Sequence, residues 1–431
     1  MIGKKIRLTV IAVLTAAMLA GGVFTGCKSD NTPSGGGQET GITQFDNSSS
    51  PYAERIGVTN WGALYLPGIG SESALLYGAR QVLETGSKVL KVACGDLSAQ
   101  YPLDDWSNKT FEKSVDVFKD ETFQELFSMG FKTFFISVPE RKSIKFADGV
   151  SEEERAYVEE EFYLMTKYLL ETYRGSGKTF ILQNWETDNY VSYSLNGKDD
   201  ELILRNYADY YNARQDGINR ARDEFVMSKE KNVYVFGAIE INKLDESYNK
   251  PKAVDYIVPY TYCDLYTYSS YEYKDKGVVT SAEDVAEKLS FALGYYESRL
   301  PSEKSYPQPV YFGDKRLAIT EFGYPDKADG YSGEWQKMVV EGHLLAMQEL
   351  GLQYAVYWQL CCNEATGSNA SYIKSLKGDK LRNYTFVPGD VNGFYLIRPD
   401  GTKTYTYNYL KEVIVSDKLN ITAECPPAWK I

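Results

Sequence analysis

Histidine is almost absent: His343 is the only one in 431 residues. It falls in the middle of a helical pattern. One imidazole cannot build a histidine-rich zinc site, and no thiolate cluster stands in for it. That position does not suit a Ser-His-Asp arrangement either, being far from any strand end. Cysteine is scarce as well, six residues with no CxxC pair among them. Cys27 follows an N-terminal leader, which leaves Cys94, Cys263, Cys361, Cys362 and Cys425. An odd number excludes complete internal pairing, and four of the five sit in apolar, strand-like contexts, so they read as small buried hydrophobes. Clusters of lysine and arginine are missing, and the formal net charge is −12. Nucleic acid and anionic lipid surfaces both need clustered positive charge, so neither is an expected partner. Neither GxxxxGK[ST] nor a dinucleotide fingerprint occurs, and no cofactor or metal is expected.

What is present begins with the leader. Lys4, Lys5 and Arg7 precede the apolar run "LTVIAVLTAAMLAGGVF", and "TGCKSD" follows. A short apolar stretch behind a basic start reads as a secretory signal over residues 1–26; the alternative is an uncleaved N-terminal membrane helix. Its end resembles a bacterial lipobox, with small Thr25 and Gly26 ahead of Cys27. The resemblance implies that Cys27 is lipidated. Residues 27–51 are Gly, Ser, Thr and Asn with almost nothing to bury, which predicts a flexible tether. Together these predict a domain held by a lipid anchor on the outer face of a bacterial membrane.

From Tyr52 to the end at residue 431 the chain alternates short β-type runs with longer amphipathic stretches, and no second-domain boundary is visible. The strand candidates are "RIGVTNW" (55–61), "KVLKVAC" (88–94), "KTFFISV" (132–138) and "KTFILQNW" (178–185). They continue with "NVYVFGAI" (232–239), "DYIVPYTY" (255–262), "RLAITEF" (316–322) and "QYAVYWQL" (353–360). Several are apolar on both faces, as buried parallel strands are. Between them, Ser151 with Glu154 makes a capping box, after which Val158, Phe162, Met165 and Leu169 recur on one helical face. Ser281 with Asp284 opens another helix, and a third runs from Ser332 to a glycine stop at Gly351. The connection between 240 and 255 is too short and polar for a long helix. Asp400-Gly401 reads as a hairpin-like turn before a closing helix. Eight strands separated by helices predict a single (β/α)8 TIM barrel over 52–431. A doubly wound sheet is the alternative, but "TNWGALYLPG" is not the glycine-rich turn that such a fold normally carries after its first strand.

In a (β/α)8 barrel, functional side chains gather at the C-terminal ends of the strands. Two glutamates fall there: Glu186 closes the fourth run and Glu321 the seventh. The strand period of two would put Asn184 on the same face as Glu186. A carboxyl pair facing each other across a barrel mouth can split a glycosidic bond, one donating a proton to the leaving oxygen while the other attacks the sugar carbon. Asp188 is the alternative to Glu186. Glu140, Glu240 and Glu364 also lie near strand ends, as candidates for substrate contact.

This layout resembles glycoside hydrolase clan A, the retaining glycosidases built on (β/α)8 barrels. "ITEFG" matches the clan's strand-seven segment and implies Glu321 as the nucleophile, and "QNWE" on strand four implies Glu186 as the acid/base beside Asn184 and Trp185. The clan's tyrosine near the nucleophile would come from "PYTYC" as Tyr260 or Tyr262, and its strand-eight tryptophan from "VYWQL" as Trp358. The second strand ends "VACGD", without the arginine often found there. The resemblance implies a carbohydrate substrate and a hydrolase or transglycosidase working by double displacement. The competing reading is a catalytically inactive glycan-binding lipoprotein, either a degenerate barrel or the solute-binding protein of a transporter.

Overall fold

The computed structural model describes residues 41–421, apart from 145, 147–148, 196–200, 247, 272–278 and 327–331. The chain divides into two compact units, Met1–Glu39 and Thr40–Ile431, and the described residues belong to the second. The leader, Cys27 and Cys425 lie outside the described residues.

Eight parallel strands close into a barrel in sequence order: β1 (Ile56–Thr59), β2 (Val89–Ala93), β3 (Thr133–Ser137), β4 (Lys178–Gln183), β5 (Val233–Ile241), β6 (Leu265–Ser270), β7 (Leu317–Phe322) and β8 (Ala355–Tyr357). Pairing of β1 with both β2 and β8 completes the ring. Nearly every strand residue is buried, because one face packs inside the barrel and the other lies under helices. The predicted (β/α)8 architecture is thus the observed one, and Cys94, Cys263, Cys361 and Cys362 are buried free thiols.

Local signals set the helices. Ser151 caps Glu152–Thr172 with the reciprocal Glu154 bond, Ser281 caps Ala282–Ser298, and Gly351, at φ +63°, follows the helix Ser332–Glu349. The two longest helices, Glu152–Thr172 and Glu201–Glu224, pack at Gly217, where a Cβ would come within 2.1 Å of the Glu159 carbonyl oxygen. Only glycine permits that approach. Arg220 on the second helix pairs with Glu159 at 2.6 Å, and Arg222 is buried against Asp264 at 2.9 Å. His343 is also buried, stacked on Phe322 and hydrogen-bonded to the Val339 carbonyl and Ser270. Burial pushes its pKa down to about 4, so it is neutral near pH 7.

Two expectations are corrected. "DYIVPYTY" is not the sixth strand: it forms a short helix, Ala253–Tyr256, and a 3₁₀ turn, Val258–Tyr260. Pro259 has no N–H to give to a central ladder, so the strand is deferred to "LYTYSS". The second correction concerns the expected tether, whose described end, residues 41–51, is not loose. Phe45 packs edge-on against Tyr234, Phe236 and Phe312, with centroids 5.2, 5.0 and 5.4 Å away. Ile42 N–H donates to the Met227 carbonyl, and Asn47 N–H to Gln353 Oε1. The segment crosses the barrel's N-terminal end, and its two apolar side chains were enough to dock it.

Candidate active site

The site grows from an irregularity in β7. Opposite β6, Tyr268 pairs with Ile319 but Ser269 pairs with Glu321, so Thr320 is an extra residue. On a regular strand, neighbours point to opposite faces; a bulge lifts that rule and re-aims side chains. Thr320 and Glu321 accordingly both reach the barrel interior. Thr320 Oγ1 donates to Glu240 Oε1 at 2.5 Å, while Glu321 Oε1 accepts from Lys91 Nζ at 2.7 Å. The same shift sets Ser269 Oγ 3.3 Å and Tyr271 Oη 3.1 Å from Glu321 Oε2.

Glu186 comes from the turn beyond β4. Its φ of +29° is unusual for a residue with a Cβ, and such strain persists only where the surroundings enforce it. Here Glu240 does so. Its Oε2 accepts the Glu186 N–H at 3.2 Å, and its own main chain is clamped by Asn184 and Thr187. Asp188 then ties the turn to the next loop by accepting N–H bonds from Asn242, Lys243 and Ala253. The Glu186 carboxyl is left with one oxygen 2.7 Å from Ser269 Oγ and the other taking a bond from Asn189 Nδ2.

Three carboxyls and one ammonium therefore share a buried cluster. Lys91 is fully buried and lies 2.7 Å from both Glu240 and Glu321. Burial opposes its charge, but Glu240 and Glu321 outweigh burial and hold its pKa above the ordinary value. Burial pushes the Glu186 carboxyl up to about 7, with the Ser269 bond pulling it down and the charge of Glu240 adding to the rise. Burial likewise pushes Glu321 up to about 8, against the pull of Lys91. The order of those values would put the proton on Glu321, but the contacts argue the reverse. Among the described residues Glu321 touches an ammonium and a phenol, whereas no cation is in contact with Glu186, so the proton belongs on Glu186.

A cavity of about 610 Å³ opens above this cluster. Of the residues expected from sequence, Trp185, Glu186, Glu321 and Trp358 line it. Trp358 stands edge-on to Trp61 at 5.6 Å, and its peptide bond to Gln359 is cis. Asn184 does not reach the cavity, because the strand ends at Gln183 and alternation no longer governs its direction. Its amide is spent on Glu240 and Thr187. Tyr260 and Tyr262 precede β6 and pack outside the barrel against the helix Glu201–Glu224, where Asn212 bonds the Tyr260 carbonyl and the Tyr262 N–H and Tyr262 donates to Asp216. Asp188 is fully buried among main-chain donors. Glu364 lines the cavity, Glu140 lines a separate one beside Trp106 and Arg141, and Glu240 lies beneath the floor.

Sequence reasoning missed Lys91, Ser269 and Tyr271. Lys91 carried a visible signal, a charge between apolar neighbours in "KVLKVAC", on the same strand whose end was searched for an arginine. Tyr271 was hidden by the misplaced sixth strand. The cavity wall also includes Asn189 from the helix Thr187–Leu195 after β4, and Asn242, Lys243 and Asp245 from the loop after β5.

No family model matches this chain, and no curated protein matches it in sequence. Solved structures do match in fold. A variant of a GH5_18 protein from Streptomyces cattleya, in complex with Manβ1-4GlcNAc, aligns over 86% of this chain and 83% of its own at 11% identity and a TM-score of 0.51. GH5_18 from Bifidobacterium longum subsp. longum aligns over 87% of this chain and 81% of its own, with 12% identity and a TM-score of 0.50. An exo-β-1,4-mannosidase from Opitutaceae bacterium strain TAV5 aligns over 88% of this chain and 62% of its own, with 11% identity and a TM-score of 0.50. What is shared at such identities is the barrel, and function has to be argued from the side chains.

Proposed function

We propose that this chain is a retaining glycosidase or transglycosidase acting on an oligo- or polysaccharide, with Glu321 as nucleophile and Glu186 as acid/base. One observation carries the reading: the Ser269 hydroxyl lies 2.7 Å from Glu186 and 3.3 Å from Glu321. Those two carboxyl oxygens can be no farther apart than the two contacts laid end to end, about 6 Å, so both carboxyls converge on one hydroxyl at the cavity floor, as the close spacing of a retaining pair requires. The hydroxyl also has only one proton to donate. It satisfies both contacts when Glu186, protonated, donates to Ser269 and Ser269 donates to Glu321. That is the charge pattern a double displacement starts from.

In the first step Glu186 gives its proton to the leaving oxygen, and Glu321 Oε2 attacks the anomeric carbon as the glycosidic bond breaks. The product is a glycosyl ester. Its formation removes the negative charge of Glu321, so the Glu186 carboxylate is then the base that takes a proton from water or an acceptor sugar. Trp185 and Trp358 offer aromatic faces to the sugar's C–H surface. The neighbours of like fold, one crystallised with a disaccharide and one an exo-β-1,4-mannosidase, support a carbohydrate substrate.

The test is asymmetric. Glu321→Ala is expected to abolish turnover of every activated aryl glycoside that the wild type cleaves. Glu186→Ala should retain the first step on substrates with good leaving groups and gain activity with azide, which attacks without a base. Near-wild-type turnover by Glu321→Ala would sink the assignment.

We further propose that Cys27 is lipidated and holds the protein at the outer face of a bacterial membrane, a reading supported by the basic, apolar leader and "TGC". Cys27→Ala is expected to move the mature protein into the soluble fraction, and a variant still bound after leader cleavage would refute the anchor.

A further inference from the structure

Glu240 has no place in the two-carboxyl chemistry, yet it is the most connected side chain beneath the cavity. It is completely buried at the C-terminal end of β5. Its Oε1 meets Lys91 Nζ at 2.7 Å, Thr320 Oγ1 at 2.5 Å and Gln183 Nε2 at 3.2 Å. Its Oε2 accepts the Glu186 N–H at 3.2 Å. The first set of contacts leads through Lys91 to Glu321, and the second leads to the left-handed turn that carries Glu186. We propose that Glu240 is a positioning residue for this centre: one oxygen competes with Glu321 for Lys91, and the other fixes the main chain of Glu186. The inference rests on the glycosidase reading.

The geometry fixes what its charge does. Lys91, from β2, cannot belong wholly to Glu321 while Glu240 stands at the same distance. Glu240 therefore tempers the ammonium's hold on the proposed nucleophile, and a carboxylate held less tightly is the better nucleophile. Its negative charge also raises the affinity of nearby Glu186 for a proton. The other titratable groups facing it are Tyr271 after β6 and Tyr296 from the helix Ala282–Ser298, while Lys243, just past its strand end, acts on Glu186. None of these replaces the contacts to Lys91 and to the Glu186 N–H.

Glu240→Gln separates positioning from bulk. Glutamine keeps the shape but loses the charge, and it cannot accept from both sides at once. If its oxygen faces Lys91, its amide N–H₂ confronts the Glu186 N–H and the hold on that turn is lost. The expected result is a kcat at least tenfold lower with KM within about twofold of wild type, since Glu240 touches no substrate. The pH profile is the decisive readout. Removing a negative charge lets Glu321 stay ionised and Glu186 lose its proton at lower pH. Both limbs of kcat/KM should therefore move down by roughly one pH unit. A purely structural role would reduce amplitude or Tm and leave the limbs in place, and that outcome overturns the proposal. Should Glu240→Gln fail to fold, Glu240→Asp decides. It keeps the charge but shortens the reach to Glu186, so kcat should fall while both limbs stay, and a wild-type kcat overturns the proposal. A wild type with no turnover on any glycoside defeats the glycosidase reading and this inference together, whereas an active wild type with unmoved limbs in Glu240→Gln defeats this inference alone.

Discussion

A lysine inside an apolar strand must shed its water, and Lys91 sheds all of it. Two carboxylates at 2.7 Å compensate, and one of them is the proposed nucleophile. The interaction can be tested from the cation's side. Lys91→Met keeps the length and removes the charge, which leaves Glu240 and Glu321 facing each other uncompensated. Glu321 then ionises only at higher pH, so the acid limb of kcat/KM should rise by about one to two units. Stability follows the same sign. Carboxyls whose folded pKa lies above the unfolded value stabilise least where the unfolded chain would be ionised, so the variant's deficit should grow as pH rises above about 4. A deficit of roughly 3–5 kcal/mol is expected near pH 8 and a smaller one near pH 4.5. Thermal unfolding at the two pH values checks this. An equal deficit at both would mean that the pair is packing rather than electrostatics.

At the scale of elements, legibility depended on whether a signal was local. Seven strands could be read because each is a short apolar run bounded by polar or turn residues, as in "KTFFISV" and "RLAITEF". Their C-terminal ends then located Glu186, Glu321, Trp185 and Trp358, all of which reach the cavity. β6 failed because "LYTYSS" is less apolar than "DYIVPYTY" just before it, and the one residue that argued against the earlier run was Pro259. That single shift misdirected the search to Tyr260 and Tyr262 and concealed Tyr271. The Thr320 bulge was beyond any single-strand pattern, since a bulge exists only relative to the neighbouring strand's register. Lys91 and Glu240 were visible as residues, but their roles were not. Three contacts that span β2, β5 and β7 are set by barrel closure and leave no trace in local spacing.

The whole molecule keeps chemistry and closure at opposite ends of the barrel. Glu186, Glu321 and the cavity lie at the C-terminal ends of the strands, while the segment around Phe45 crosses the N-terminal ends, where packing serves stability rather than catalysis. Phe45 is half-buried and meets three aromatic rings, and its N–H donates to the Tyr311 carbonyl. Around it, Asn47 takes hold of Gln353 and the Glu54 carbonyl, and Lys315 pairs with Asp46 at 3.2 Å. The exposed ion pair contributes little on its own, so the aromatic contact is the main term. Phe45→Ala is expected to destabilise the barrel by about 2–3 kcal/mol, below the roughly 3–5 of a fully buried phenylalanine because part of this ring already meets solvent. In a chain of this length that corresponds to a fall in Tm of about 2–4 °C. Because the site is at the other end, kcat and KM at 25 °C on any substrate the wild type turns over should be unchanged. The two readouts have to separate: a Tm equal to wild type would show that residues 42–50 are a tether after all, while a changed kcat at unchanged Tm would show that the two ends of the barrel communicate.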